Sequence, residues 1–108
     1  MLKATLSFVI ALLLVPVAFA ATTEVKLKDN FFKPKRVEIS KGDKVRWVWK
    51  GSDVHNVAIR KPGSSKVAVR SDFMTEGSFS HKFGKAGTWK IRCESHPRKM
   101  RMKVIVSG

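Results

Sequence analysis

Short runs in which apolar and charged residues alternate recur along most of the chain. Val25-Lys26-Leu27-Lys28 and Val37-Glu38-Ile39-Ser40 put an apolar side chain at every second position, the period of a strand that buries one face and solvates the other. Val45, Trp47 and Trp49 share one face while Lys44, Arg46 and Lys50 share the opposite one, which aims two indoles at one core. Phe79, His81 and Phe83 alternate with Ser78, Ser80 and Lys82, and Trp89, Ile91 and Cys93 oppose Lys90 and Arg92. Lys103 to Val106 reads as a closing strand.

Between these runs the signals are weaker. Phe31, Phe32 and Pro34 predict an irregular crossing that still needs apolar cover, Val54 to Ile59 is a continuous apolar run around His55 and Asn56, and Val67-Ala68-Val69 is a short apolar piece. Asp29-Asn30, Lys41-Gly42-Asp43-Lys44, Gly51-Ser52-Asp53, Lys61 to Ser65 and Gly84 to Gly87 read as turns or loops. No helical period is sustained beyond Ala21, and the turns recur about every eight to twelve residues, the pattern of an all-β sandwich or barrel.

The first twenty residues break this pattern. Lys3 precedes an apolar run from Leu6 to Val15, then Pro16 and the small-residue sequence Ala18-Phe19-Ala20. This predicts a signal-peptide helix over 1–20 cleaved after Ala20, with retention as an anchor the alternative. The protein is therefore expected to be exported, to a periplasm or to the extracellular or cell surface. Residues 21–108 make one small domain. Losing Lys3 with the leader takes one charge from the +14 of the chain, leaving +13 over 88 residues. A balance this basic favours acidic partners, anionic membrane surfaces or polyanions. The cations are dispersed and accompany no nucleic-acid motif, so nucleic acid is not expected as a partner.

An exported chain of this size ordinarily uses paired cysteines, yet this one has only Cys93. It opens the segment Cys93-Glu94-Ser95-His96-Pro97-Arg98-Lys99-Met100, which gathers a thiol, an imidazole and a thioether. A thiolate, two imidazoles and a weak thioether suit copper in a trigonal blue-copper site. His55 beside the Gly51-Ser52-Asp53 turn is a better candidate for the second imidazole than His81, which lies mid-strand between two inward phenylalanines and reads as structural. Structural zinc would want a fourth strong ligand, and a cysteine hydrolase would want a third group to orient the base.

Taken together, Val45 to Trp49, Val54-His55-Asn56-Val57, Gly77 to Phe83, Gly87-Thr88-Trp89 and Cys93-x2-His96-Pro97 to Met100 resemble the plastocyanin, pseudoazurin and amicyanin group of small blue copper proteins, the cupredoxins. The resemblance implies a Greek-key β-sandwich, one type 1 copper, and one-electron transfer between redox proteins rather than enzymatic turnover. It implies His55, Cys93 and His96 as strong ligands and Met100 as the axial one. It also implies Asn56 as the tie between the two ligand loops and His96 as the electron port. Those families place two or four residues between the loop histidine and the methionine, whereas this chain places three. Met102 is the rival axial ligand. Around the port, Arg98, Lys99 and Arg101 predict a partner with an acidic face or an anionic membrane surface, with association that weakens in salt. Copper storage or delivery through the same ligands is the alternative function.

Overall fold

The computed structural model describes residues 19–108, so the expected leader helix lies outside the described residues. Nine strands follow one another: β1 (Thr22–Lys28), β2 (Phe31–Lys33), β3 (Arg36–Ser40), β4 (Lys44–Trp49), β5 (Ala58–Arg60), β6 (Val67–Arg70), β7 (Ser78–Lys82), β8 (Gly87–Arg92) and β9 (Arg101–Ser107). They form one sheet of order β2-β1-β4-β7 and another of order β3-β9-β8-β5-β6. The chain crosses repeatedly from one sheet to the other, as a Greek-key sandwich requires, and β1 with β4 and β3 with β9 run parallel. The described residues contain no helix.

Each alternating run became a strand with its apolar side inward. Val25 and Leu27, Val37 and Ile39, Val45, Trp47 and Trp49, Trp89 and Ile91, and Met102, Val104 and Val106 are all buried between the sheets. Trp47 lies against the Phe79 and Phe83 rings, and Trp89 meets Phe83 edge to face at 5.0 Å. The three indoles belong to the core.

Two segments depart from the sequence reading. Phe31 to Lys33 is not irregular but forms β2, because the chain reverses at Asp29-Asn30 and pairs Lys28 with Phe31 and Leu27 with Phe32. Asn30 takes φ 109° there, a conformation that asparagine tolerates better than most residues. The apolar run from Val54 forms a strand only at Ala58–Arg60; upstream of it, His55 exchanges two backbone hydrogen bonds with Met74, at 3.0 and 2.9 Å.

Strand direction gathers the chemistry at one end of the sandwich. The parallel pair β1 and β4 delivers the Asp29 turn and the chain leading to His55 to the same edge. There the β8–β9 connection carries residues 93 to 100.

Candidate metal centre

His55 is fixed before any metal is considered. Its carbonyl accepts hydrogen bonds from the Trp49 indole at 3.0 Å and from the Met74 amide at 2.9 Å, and its side chain is fully buried. Cys93 stands one residue beyond β8, on the inward side that alternation assigned to it, and is also fully buried. The loop after it is a tight coil held by its own backbone. The His96 amide donates to the Cys93 carbonyl at 3.2 Å, the Met100 amide to the His96 carbonyl at 3.0 Å, and the Cys93 amide to the Met100 carbonyl at 3.0 Å. The three-residue gap between His96 and Met100 is thus closed into one ring of contacts.

These supports bring three donor atoms together. Cys93 Sγ lies 3.8 Å from His55 Nδ1 and 3.7 Å from His96 Nδ1, and all three fall within 4.8 Å of one another. Bonds of about 2.3 Å to sulfur and 2.0 Å to nitrogen, opened to a trigonal angle, would separate sulfur from each nitrogen by about 3.7 Å. The cradle therefore has the size of a single ion. One thiolate with two imidazoles is a donor set that suits copper.

The residues around the donors are held as closely. Asp29 Oδ1 lies 3.1 Å from His55 Nε2, so Nε2 carries the ring proton and Nδ1 turns its lone pair toward Cys93. The same carboxylate accepts the Ser52 amide and hydroxyl and the Asp53 amide at 2.9 to 3.1 Å, and these backbone donors hold its pKa well below the usual carboxylate range. Gly51 makes this possible, since a Cβ there would come 2.1 Å from Asp29 Oδ1.

Asn56, fully buried, bridges the two ligand loops. Its Oδ1 accepts the Glu94 amide at 2.7 Å and its Nδ2 donates to Glu94 Oε1 at 2.9 Å. Arg70 clamps the same carboxylate from β6 at 2.7 and 3.2 Å, an ion pair that lowers the Glu94 pKa and raises that of Arg70. Ser95 Oγ lies 3.0 Å from Cys93 Sγ, 3.2 Å from His96 Nδ1 and 3.3 Å from the Val54 carbonyl.

Residues 19–107 match the model of copper binding proteins of the plastocyanin/azurin family. The chain belongs to this family. It is 34% identical over 88 residues to amicyanin-alpha of Methylorubrum extorquens, covering 81% of this chain and 73% of that protein. The crystal structure of amicyanin from Paracoccus versutus superposes with a TM-score of 0.69 at 33% identity, over 80% of this chain and 81% of that one. A purple cupredoxin from Nitrosopumilus maritimus gives 0.68 at 27% identity, over 79% and 99%. The fold is the cupredoxin sandwich, and copper is the cofactor that family and donor set together support.

The structure thus brings His55, Cys93 and His96 together, with Asn56 behind them. Met100 is fully buried at the end of the loop, whereas the rival Met102 turns into the core, where its Sδ accepts the Trp47 indole at 3.2 Å. Arg98, Lys99 and Arg101 are exposed around a half-buried His96. His81 is remote, stacked edge-on to Phe83 and beside Trp89. Sequence reasoning missed Asp29, Ser95, Glu94 and Arg70. A metal-bound histidine calls for an acceptor on its other nitrogen, but both Asp29 and Asp53 flank suitable turns, and only the β1–β4 pairing selects Asp29.

Proposed function

We propose that the protein is an exported blue copper electron carrier, not an enzyme, with His55, Cys93 and His96 as equatorial ligands and Met100 as the axial one. The observation that carries this reading is the convergence of Cys93 Sγ with the Nδ1 atoms of His55 and His96 at 3.7 to 3.8 Å. Copper so held supplies a one-electron couple. The chain's own residues supply rigidity: Trp49, Asp29 and Asn56 hold the donors by bonds that do not involve the ion. A cage that needs little rearrangement favours rapid outer-sphere transfer. Amicyanin-alpha and the cupredoxin neighbours support the role.

His96 is the proposed port, because it is the one donor of the three that is not fully buried. Arg98, Lys99 and Arg101 beside it suit a redox partner with an acidic face, and electron transfer between the two slows as ionic strength rises. Val54, exposed next to Ser95, adds an apolar contact at the rim.

The test is the visible spectrum of the copper-loaded protein through repeated reduction and reoxidation. The expected result is a thiolate-to-copper charge-transfer band that returns in full each cycle and is abolished by Cys93→Ser. A colourless oxidised protein would overturn the blue-copper reading. Loss of the ion on reduction would instead favour copper delivery.

A further inference from the structure

The outer face of the five-stranded sheet carries a row of cations that the metal centre does not use. Register sets Arg60 opposite Lys90, Lys90 opposite Lys103, and Lys103 opposite Arg36, so one line across β5, β8, β9 and β3 holds four basic residues. Neighbouring strands lie about 4.8 Å apart, so the line spans about 14 Å. Two residues nearer the metal end, Arg92 faces Arg101. Like charges directly opposite one another on a sheet face destabilise it. Among the described residues the row's single ion pair is Arg36 with Glu38, at 3.0 Å.

The row is also a concavity. Lys35, Arg60, Lys90, Arg101 and Lys103 border a cleft of about 380 Å³, and none of the described residues lining it is acidic. Guanidinium and ammonium groups in this density fit phosphate oxygens.

We propose that this face docks the protein on an anionic phospholipid surface, the cleft receiving lipid phosphates. A specific protein partner would need an apolar or aromatic centre to bury. On β8 and β9 the outward residues are cationic or small and polar apart from half-buried Ile105, while the exposed Phe31, Val54 and Phe73 lie off this sheet. Lipid headgroups need no such centre, because they rearrange around fixed cations. With the sheet lying on the membrane, the copper loop between β8 and β9 stays at its edge, where His96 can meet a partner. The inference rests on the exported location and is independent of electron transfer.

The test is co-sedimentation of the copper-loaded full chain with vesicles of phosphatidylcholine alone and of phosphatidylcholine mixed with phosphatidylglycerol. The difference between the two isolates the charge-dependent part. Lys90→Gln with Lys103→Gln should lower it about 25-fold at low salt, at about five-fold per cation. Lys26→Gln with Lys44→Gln, equal in net charge but on the outer face of the other sheet, should lower it far less. The visible band reports that each variant holds copper. Equal losses from the two pairs would overturn the proposal, as would equal binding to both kinds of vesicle. Saturable binding of inorganic phosphate, or of polyglutamate, without vesicle binding would assign the face to a soluble anion or an acidic protein and overturn it too.

Discussion

Asp29 Oδ1 and His55 Nε2 stand 3.1 Å apart, which makes an exposed turn residue the orienting partner of a buried imidazole. Because that carboxylate is itself fixed by Ser52 and Asp53, it transmits the rigidity of the β1–β2 turn to the histidine. Asp29→Ala should weaken copper binding about 10- to 100-fold, the usual effect of removing a bond behind a ligand histidine. Asp29→Asn, which keeps an acceptor oxygen, should recover part of it. Competition against a copper chelator measures both, and unchanged affinity in Asp29→Ala would show that backbone contacts alone orient His55.

The two methionines near the C-terminus are predicted to separate cleanly. Replacing Met100 by Leu removes the proposed axial sulfur donor, a change that favours the lower oxidation state, so the reduction potential should rise by about 60 mV for every tenfold change in relative affinity for the two states. Met102→Leu should leave the potential near that of the wild type. Its cost falls on folding, because the buried Trp47 indole N–H loses the Sδ acceptor at 3.2 Å, a loss of about 1–3 kcal/mol. Voltammetry and urea denaturation on the two variants read these outcomes, and a potential that follows Met102 instead would reverse the assignment.

The contrast between these residues shows what the sequence could carry. Alternation located β1, β3, β4, β7 and β8 because period two is a local property, and it placed Cys93 on the inward face for the same reason. The spacing from Cys93 to His96 is local as well. His55 was legible from its place beside the Gly51-Ser52-Asp53 turn, against a mid-strand His81, and the resemblance pointed to the same residue. Asp29 and Arg70 were illegible because each reaches the site across a sheet: Asp29 through parallel pairing of β1 with β4, Arg70 through β6 beside β5. The short β2 was missed because Phe31-Phe32 lacks alternation and its pairing depends on a turn.

Ser95 offers a prediction about tuning. A cysteine sulfur bound to metal carries no proton, so the 3.0 Å contact becomes a hydrogen bond to sulfur when the Ser95 hydroxyl turns its single proton from the Val54 carbonyl, at 3.3 Å, to Sγ. Such a bond draws electron density from the thiolate and favours the reduced ion, one of the recognised controls on potential in these sites. Ser95→Ala should therefore lower the potential by tens of millivolts, about 60 mV corresponding to a tenfold change in the relative affinity. It should also shift the charge-transfer band. Ser95→Thr, which keeps the hydroxyl, should stay close to the wild type. If Ala and Thr shift the potential equally, loop packing and not the hydrogen bond is responsible.

His81 governs a separate dependence on pH. Half-buried beside Phe83 and Trp89, it is surrounded by rings that cannot solvate a cation, and this desolvation lowers its pKa from the ordinary 6.5. The unfolded chain therefore binds a proton more readily than the folded one. Above pH 6.5 both states hold a neutral ring and the residue contributes no slope. As pH falls from 6.5 toward the lowered folded value, protonation favours the unfolded state and stability declines; below that value the loss is complete and constant. His81→Gln and His81→Phe remove this step, whatever each does to absolute stability. Urea midpoints across this range should fall more steeply for wild type than for either variant, with His55 and His96 common to all three and cancelling in the comparison. Parallel curves through the same interval would mean that the ring is solvated as well in the fold as in water.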